Sequence, residues 1–366
     1  MNLEHFLKSE APGWMDDKGL DADIVLSTRI RLARNLEGYR YPLSFTEQEA
    51  KQIDGVVSQA VLNINNDKRI FSHFTIKEMP LLQRQVLVEK HLISPLLAKK
   101  EKSASVLLSS DETISVMINE EDHLRIQCLL PGLQLLETYE LANKLDSHLE
   151  KQLPYAFNES FGYLTCCPTN VGTGLRASVM MHLPALTMSK QIKAVTQMLA
   201  RFGMVVRGIY GEGSENLGNV YQISNQVTLG KSEEEIIDDL QNIVVQIIQS
   251  ERGAREALLK KSKVVLEDRF NRSLGTLRYA RVMTSEEAAA CLSNVRLGVD
   301  VGIINDVPLS VLNECMILIQ PGFVQQYAGT TLQPAERDIF RAKLLREKLN
   351  VNRQSSMEKG EEKYDV

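Results

Sequence analysis

Between about Ser103 and Leu130, apolar and β-branched residues gather in short blocks parted by polar turns. This predicts strands over Ala104 to Ser109, Thr113 to Asn119 and Leu124 to Leu130, with Ser110-Asp111-Glu112 as a turn, the pattern of an antiparallel meander. Further strand-like runs lie at Phe161 to Cys166, Arg176 to His182, Val205 to Tyr210 and Val220 to Gln226. Met188, Ile192, Val195 and Leu199 recur at helical spacing, predicting a helix from Met188 to Phe202 that stops at Gly203. Ser232 with Glu235 forms a capping box, and Ile236, Leu240, Ile243, Val244, Ile247 and Ile248 then mark a long amphipathic helix that reads as a domain end. Beyond roughly Val264 the segments are helical, one opened by Thr284 with Glu287 and the last running from Pro334 to Leu349. The expected fold is α+β. An N-terminal segment (1–23) precedes an antiparallel sheet flanked by helices (24–254), then a smaller all-helical domain (255–350) and, from polar composition, a disordered tail (351–366).

Composition narrows the function classes. A net charge of −5 argues against general binding to nucleic acid or acidic membranes, so any anion site must be local. The stretch from Met1 to Glu10 has no apolar core and nothing later approaches the ~20 apolar residues of a membrane span, so the expectation is a cytoplasmic protein. The five cysteines form no C-x-x-C pair and read as thiols. The six histidines show no metal-ligand spacing, so no resident metal is expected and a metal would arrive with a nucleotide.

The usual phosphate-binding loops are missing: there is no G-x-x-x-x-G-K-[ST], no G-x-G-x-x-G among Gly172, Gly174, Gly211 and Gly213, and no H-R-D or D-F-G element. In their place, arginines sit in or beside strand-like segments: Ser27-Thr28-Arg29-Ile30-Arg31, His123-Leu124-Arg125, Leu175-Arg176-Ala177-Ser178 and Val206-Arg207-Gly208. Alternate strand positions share a face, so such arginines can aim several planar, permanently charged forks at one polyphosphate. Each alone reads more readily as a surface arginine in an ion pair. The turn Cys166-Cys167-Pro168-Thr169-Asn170-Val171-Gly172-Thr173-Gly174 suits close approach of a ligand, and its cysteine reads either as a core thiol or as a thiolate facing a cation.

Cys167-Pro168-Thr169-Asn170-Val171-Gly172-Thr173 resembles the signature of the phosphagen (guanidino) kinases. In the same order come Ser27-x-Arg29-x-Arg31, Asn119-Glu120-Glu121-Asp122-His123-Leu124-Arg125, Arg176-Ala177-Ser178-Val179 and Arg207-Gly208-x-x-Gly211-Glu212, so the resemblance spans roughly Ile24 to Ala254. It implies the phosphagen kinase catalytic fold, with ATP and Mg²⁺ as cofactors. Arg29, Arg125, Arg176 and Arg207 would bind phosphates, with Arg31 and His91 near the nucleotide. Ser27, Thr28, Ala177, Ser178, Val179, Met180, Gly208, Ile209, Tyr210 and Gly211 would complete that site. Glu121 and Glu212 would embrace a guanidinium, beside the thiol of Cys167. Judged alone, either glutamate is an ordinary solvated carboxylate. The chemistry nevertheless demands such groups, because a protonated, delocalised guanidinium is a poor nucleophile until one nitrogen is oriented and a proton removed.

Small-guanidine kinases carry an additional N-terminal helical domain that closes over the free amino acid. This chain is expected to lack it, which suits an arginine presented on a polypeptide. At the other end, Arg337-Asp338-Ile339-Phe340-Arg341-Ala342 places Arg337 and Arg341 one turn apart, either as a solvated helix face or as a grip on a dianion. With that motif the chain resembles bacterial protein arginine kinases, and the resemblance implies allosteric phosphoarginine binding by Arg337, Asp338, Arg341 and Ala342. It also implies a homodimer or larger assembly and a role in stress response and protein quality control. Implied partners are arginine-bearing protein substrates, a zinc-binding activator protein, a heat-shock transcriptional repressor and a Clp chaperone-protease. Two alternatives stay open: a kinase of free arginine or another small guanidine, and a non-catalytic phosphoarginine-binding adaptor.

Overall fold

The computed structural model describes residues 2–8, 12–64, 69–208 and 217–361, with 351–361 described by their backbone alone. A short helix, α1 (Leu3–Phe6), and a single 3-10 turn (Gly13–Met15) precede the long strand β1 (Val25–Arg34). Helix α2 (Glu47–Leu62), strand β2 (Phe71–Thr75) and helices α3 (Leu81–Glu89) and α4 (Pro95–Ala98) lead into the meander β3 (Ser105–Ser109), β4 (Ile114–Ile118) and β5 (Leu124–Pro131). After α5 (Leu135–Glu150) come a two-residue hairpin, β6 (Phe157–Asn158) and β7 (Gly162–Tyr163), and then β8 (Leu175–His182). Helices α6 (Pro184–Met188) and α7 (Ile192–Arg201) and strands β9 (Met204–Arg207) and β10 (Val220–Asn225) complete the sheet-bearing part. The rest is helical: α8 (Glu233–Tyr279), α9 (Ser285–Asp300), α10 (Leu309–Leu318), α11 (Pro321–Ala328) and α12 (Pro334–Glu361).

Eight strands form one antiparallel sheet in the order β2-β3-β4-β5-β1-β8-β10-β9, with β1 near its centre. Its two faces differ because side chains alternate along each strand. One face carries Ile30, Leu32, Ile126, Cys128, Ala177, Val179 and Ile223, all buried against residues of α2, α5 and α8. The other is apolar only towards its rims. There Val106, Leu108, Met117, Leu129 and Met180 pack with Phe6 and Trp14 of the N-terminal segment and with Ile317, Leu318, Phe323 and Leu344 of the C-terminal helices. A separate helical core joins Phe270, Leu274, Leu292, Leu312 and Leu345. The C-terminal helices therefore share a core with the sheet and also keep one of their own.

The meander falls where the hydrophobic blocks place it, and the Ser232–Glu235 capping box opens α8 as expected. Four features differ. The run from Phe161 to Cys166 is a strand only at Gly162–Tyr163, because the backbone amide of Cys166 donates to the Asp122 carboxylate rather than to a ladder partner. The helix over Met188 to Phe202 is two helices, broken where Lys190 takes a positive φ of 60°. Helix α8 continues past residue 254, where the first domain is expected to end. It runs 47 residues, kinked at Ser262, and its second half belongs to the C-terminal core. Finally, the backbone of α12 is helical to Glu361, through most of the segment expected to be a tail, while residues 362–366 lie outside the described residues.

Candidate functional site

Cross-strand partners in an antiparallel sheet project to the same face. On β1 and β8, Arg31 pairs with Arg176 and Arg29 with Ser178. On β1 and β5, Arg31 pairs with Gln127 and Ala33 with Arg125. Gln222 of β10 pairs with Met180 on one side and with Arg207 on the other. Arg29, Arg31, Arg125, Arg176 and Arg207 therefore leave four strands on a single face, over the centre where apolar side chains give way. Arg29 donates to Ser178 Oγ (3.4 Å) and Gln222 Oε1 (2.8 Å), which holds its fork flat on the sheet.

The same alternation carries Thr28, Ala177 and Val179 to the opposite face. Thr28 Oγ1 is buried there, donating to the Gly132 carbonyl at 2.7 Å, and the other two are core residues. Side-chain contact with a ligand on the arginine face is closed to all three, because strand periodicity of two forbids five consecutive residues from facing one site. Ser27, Ser178 and Met180 do line that face, and Gly208 is buried at the end of β9. Ile209, Tyr210, Gly211 and Glu212 lie outside the described residues.

Over the arginines lies a cleft of about 1340 Å³, open to solvent and lined by Arg31, Arg125, Arg176 and Arg207 together with Glu121, Cys167 and Asn170. A second hollow of about 590 Å³ shares Arg31, Arg125 and Arg207 and continues inward past Arg29 to His91. The acceptor-facing wall is built from a tight turn between β4 and β5. Asn119 sits there with φ 59° and spends its amide on the carbonyls of Ala50 (2.8 Å) and Ser103 (3.0 Å). Asn35 accepts from the His123 amide and donates to Asp122 Oδ1, which also receives the Cys166 amide at 2.7 Å. One buried carboxylate thus ties the glutamate turn to the cysteine loop.

That loop is pinned on its other side by Thr228, whose hydroxyl donates to Val171 O (2.7 Å) and Thr169 O (3.0 Å). At Gly174, φ is 65° and a Cβ would stand 2.6 Å from the Ala33 carbonyl, so only glycine lets the loop rejoin the sheet beside the cavity. Cys167 Sγ lies 3.0 Å from the Thr169 hydroxyl.

The electrostatics are lopsided. Arg125 spans two glutamates, Glu120 at 2.7 Å and Glu121 at 2.8 Å. Glu120 is fully buried and also receives the Ser94 hydroxyl, whereas the Glu121 side chain is 35% exposed to the cavity. Burial, then Arg125 and Arg176, lowers the Arg29 pKa to about 10, and burial with Arg29, Arg125 and Arg176 presses Arg31 down further. A guanidinium does not give up its proton in the working range, so these shifts express repulsion that an anion would relieve. Among the described residues, the buried Arg31 Nε has no hydrogen-bond partner. His91, at φ 58°, is held down to a pKa of about 3 by burial and by Arg29 and Arg31, so it is neutral and its imidazole adds no further positive charge.

The motif reading did not single out Glu120, Asp122, Ser94 or Gln127, although the first two stand inside the quoted Asn119–Arg125 run. Their role in holding other groups needs spatial neighbours, which a linear motif does not display.

The C-terminal motif is only partly as expected. Arg337 and Arg341 do lie on one face of α12, but that face turns inward. Arg341 is 2% exposed and gives its fork to the carbonyls of Ile319 (2.8 Å) and Met283 (2.9 Å) and to Asp338 (2.5 Å), while Ala342 packs in the helical core. Arg337 is half-buried and donates one bond, to Leu332 O at 3.0 Å.

Known proteins match the chain over nearly its whole length. A family model described as ATP:guanido phosphotransferase, C-terminal catalytic domain, matches residues 52–254, and one described as Protein-arginine kinase McsB C-terminal domain matches residues 263–360. The protein-arginine kinase of Geobacillus sp. (strain WCH70) is 53% identical over 359 residues, covering 98% of this chain and 99% of that protein. That of Bacillus subtilis (strain 168) is 52% identical over 356 residues, covering 96% and 97%. Among solved structures, lombricine kinase superposes with a TM-score of 0.57 at 26% identity, covering 69% of this chain and 71% of that one. The duplicated taurocyamine kinase from Schistosoma mansoni, with bound transition state analog components, gives 0.59 at 27% identity, covering 69% of this chain and 35% of that one. The chain belongs to the ATP:guanido phosphotransferase family and, within it, to the protein-arginine kinases, enzymes that use ATP to phosphorylate a guanidino group.

Proposed function

We propose that the enzyme transfers the γ-phosphate of Mg-ATP to the guanidinium of arginine residues in proteins. The observation that carries this is the convergence of five arginines on one sheet face beneath a cavity that Glu121 and Cys167 also line. The groups facing the cavity floor are cationic, a donor set for phosphate oxygens and not for a metal, so Mg²⁺ enters on the nucleotide as part of the substrate.

In the transfer, the bond from the γ-phosphorus to the bridging oxygen of ADP breaks as the N–P bond forms, and the guanidinium loses one proton. Phosphoryl transfer asks little covalent chemistry of a protein, and positioning with charge stabilisation supplies most of the rate. Arg31, Arg125, Arg176 and Arg207 offer fixed donors to the charge that spreads over the transferring group, each such donor typically contributing ~10²–10³ in rate. Glu121, oriented by Arg125, faces the cavity as clamp or proton acceptor for the guanidinium, with Glu212 as its counterpart in the sequence motif. Cys167 borders the same space and would touch the substrate from the loop side.

The proposal extends to a wider setting, the one that the resemblance to bacterial protein arginine kinases implies. In this reading the enzyme acts in the bacterial cytoplasm in stress response and protein quality control. It assembles as a homodimer or larger, and works with a zinc-binding activator, a heat-shock repressor and a Clp chaperone-protease. Its C-terminal helices bind phosphoarginine through Arg337, with Arg341 holding the helix in place.

The direct test is incubation with Mg-ATP and either free L-arginine or an arginine-containing unfolded protein, reading phosphoarginine by mass spectrometry without acid, with Glu212→Ala as control. Label on protein arginine that disappears in the control is the expected result. Label on free arginine alone would make this a small-guanidine kinase, and no label would point to an adaptor.

A further inference from the structure

The proposed reaction gives the nucleotide a direction in this pocket. Since Glu121 and Cys167 mark the acceptor end, the γ-phosphate belongs there, and the base belongs at the far end, beyond Arg29. Behind His91 the pocket narrows to a crevice with room for no more than a water-sized group, lined by Ser27, Arg29, His91, Ser178, Gln222 and, from outside the sheet-bearing region, Trp14.

We propose that Trp14 is a positioning residue for the nucleotide: from behind, it sets His91 against the inner end of the arginine-lined pocket. The proposal deepens the reading of this pocket as the ATP site and rests on it. Trp14 is 2% exposed, its indole Nε1 donates to the Lys90 carbonyl at 3.0 Å, and its ring meets the His91 ring edge to face, centroids 5.3 Å apart and planes at 75°. His91 needs such support, because a non-glycine residue at φ 58° occupies a sparsely populated backbone region and must be held there by its surroundings. Gln127 holds the other side, donating to the His91 carbonyl at 2.8 Å. Lys90 is anchored in turn, its buried ammonium donating to Phe6 O (3.1 Å) and Glu112 (2.5 Å). The segment carrying Trp14 is fastened at its back as well, where Asn313 of α10 donates to Met15 O at 2.7 Å. An indole fixed by a hydrogen bond to one peptide and by ring contact to the next is a template for the geometry of both.

Trp14 is the single tryptophan of the chain, so its fluorescence reports on this site alone. In the full-length enzyme, titration with Mg-ATP is expected to change that emission and to saturate at the KM for ATP, with Arg31→Ala abolishing the change. Trp14→Leu is expected to raise the KM for ATP about tenfold while the KM for the protein substrate moves less than about twofold, and Trp14→Phe, which keeps a ring but loses the indole donor, to fall between. Wild-type emission that ignores ATP, or Trp14 variants that lower thermal stability without moving the KM for ATP, would overturn the role of Trp14 while leaving the pocket assignment intact. Undiminished ATP binding by Arg31→Ala would remove the pocket assignment and the proposal with it.

Discussion

Arg31 on β1 stands directly across the sheet from Arg176 on β8, so two like charges leave neighbouring strands on one face. Like charges opposite one another destabilise a sheet, and Arg31 has a buried Nε without a partner among the described residues. The fold holds this unfavourable pair because the rest of the sheet is over-determined by the apolar core on its far side. Stability is given up at the place where an anion is to bind.

Replacing Arg31 by Leu is therefore expected to move stability and activity in opposite directions. The ligand-free variant should unfold at a higher temperature, by about 1 kcal/mol in stability, because a repelled buried charge is replaced by an apolar group. Its kcat/KM should fall by at least ~10². Calorimetry and initial rates on the same preparation check this, and a variant that loses both stability and activity would show that Arg31 is structural.

Glu89, at the end of α3, accepts from the amides of Gly322 (2.8 Å) and Phe323 (3.0 Å) at the start of α11, linking the C-terminal helices to the segment that leads into His91. Burial raises its pKa to about 7 against the opposing pull of those amides, of Gln85 and of Arg341. From roughly pH 4.5 to 7 the folded chain thus holds a proton that the unfolded chain releases, and this group's contribution to stability falls as pH rises through 7, then levels off. The total is at most ~3 kcal/mol. Unfolding of wild type and Glu89→Gln compared from pH 5 to 8 should show the variant gaining relative stability with pH, and parallel curves would refute the link.

Much of this was readable from residue order, and the gaps have physical causes. The meander and the long capped helix announce themselves because their signals are local: blocks of β-branched residues for Ala104 to Leu130, and a hydroxyl with a glutamate three residues on for Ser232. The arginines could be identified as a set, but their sharing of one face is fixed by register across β1, β5, β8, β9 and β10, which composition does not encode. Thr28 and Val179 were swept into the site by adjacency in a motif, whereas alternation sends them to the core. Trp14 and Glu120 act through partners distant in the chain or buried beneath it, so no spacing rule points to them.

Glu121→Gln separates positioning from proton acceptance. The amide can still accept from Arg125, so the turn and the arginine stay in place, but it cannot take a proton. With Glu121 as acceptor, kcat falls by ~10²–10⁴ while ATP affinity changes little. A drop confined to the KM for the arginine substrate would assign Glu121 to clamping and leave the proton to Glu212.

Arg337 and Arg341 look equivalent in the sequence, one helical turn apart, and the structure makes them unlike. Arg341→Ala strips the donors from two backbone carbonyls and a carboxylate inside the C-terminal region, and should lower stability by about 2–3 kcal/mol. Arg337 makes one bond from a half-buried position, so Arg337→Ala should leave the unfolding temperature within a degree or two while weakening the response to added phosphoarginine. Chemical denaturation of both variants, with kinase activity measured across a phosphoarginine titration, decides the matter. If Arg337→Ala responds as the wild type does, phosphoarginine binds elsewhere. If Arg341→Ala is fully stable and yet blind to phosphoarginine, the buried fork must open to take the ligand, and the site is induced by it.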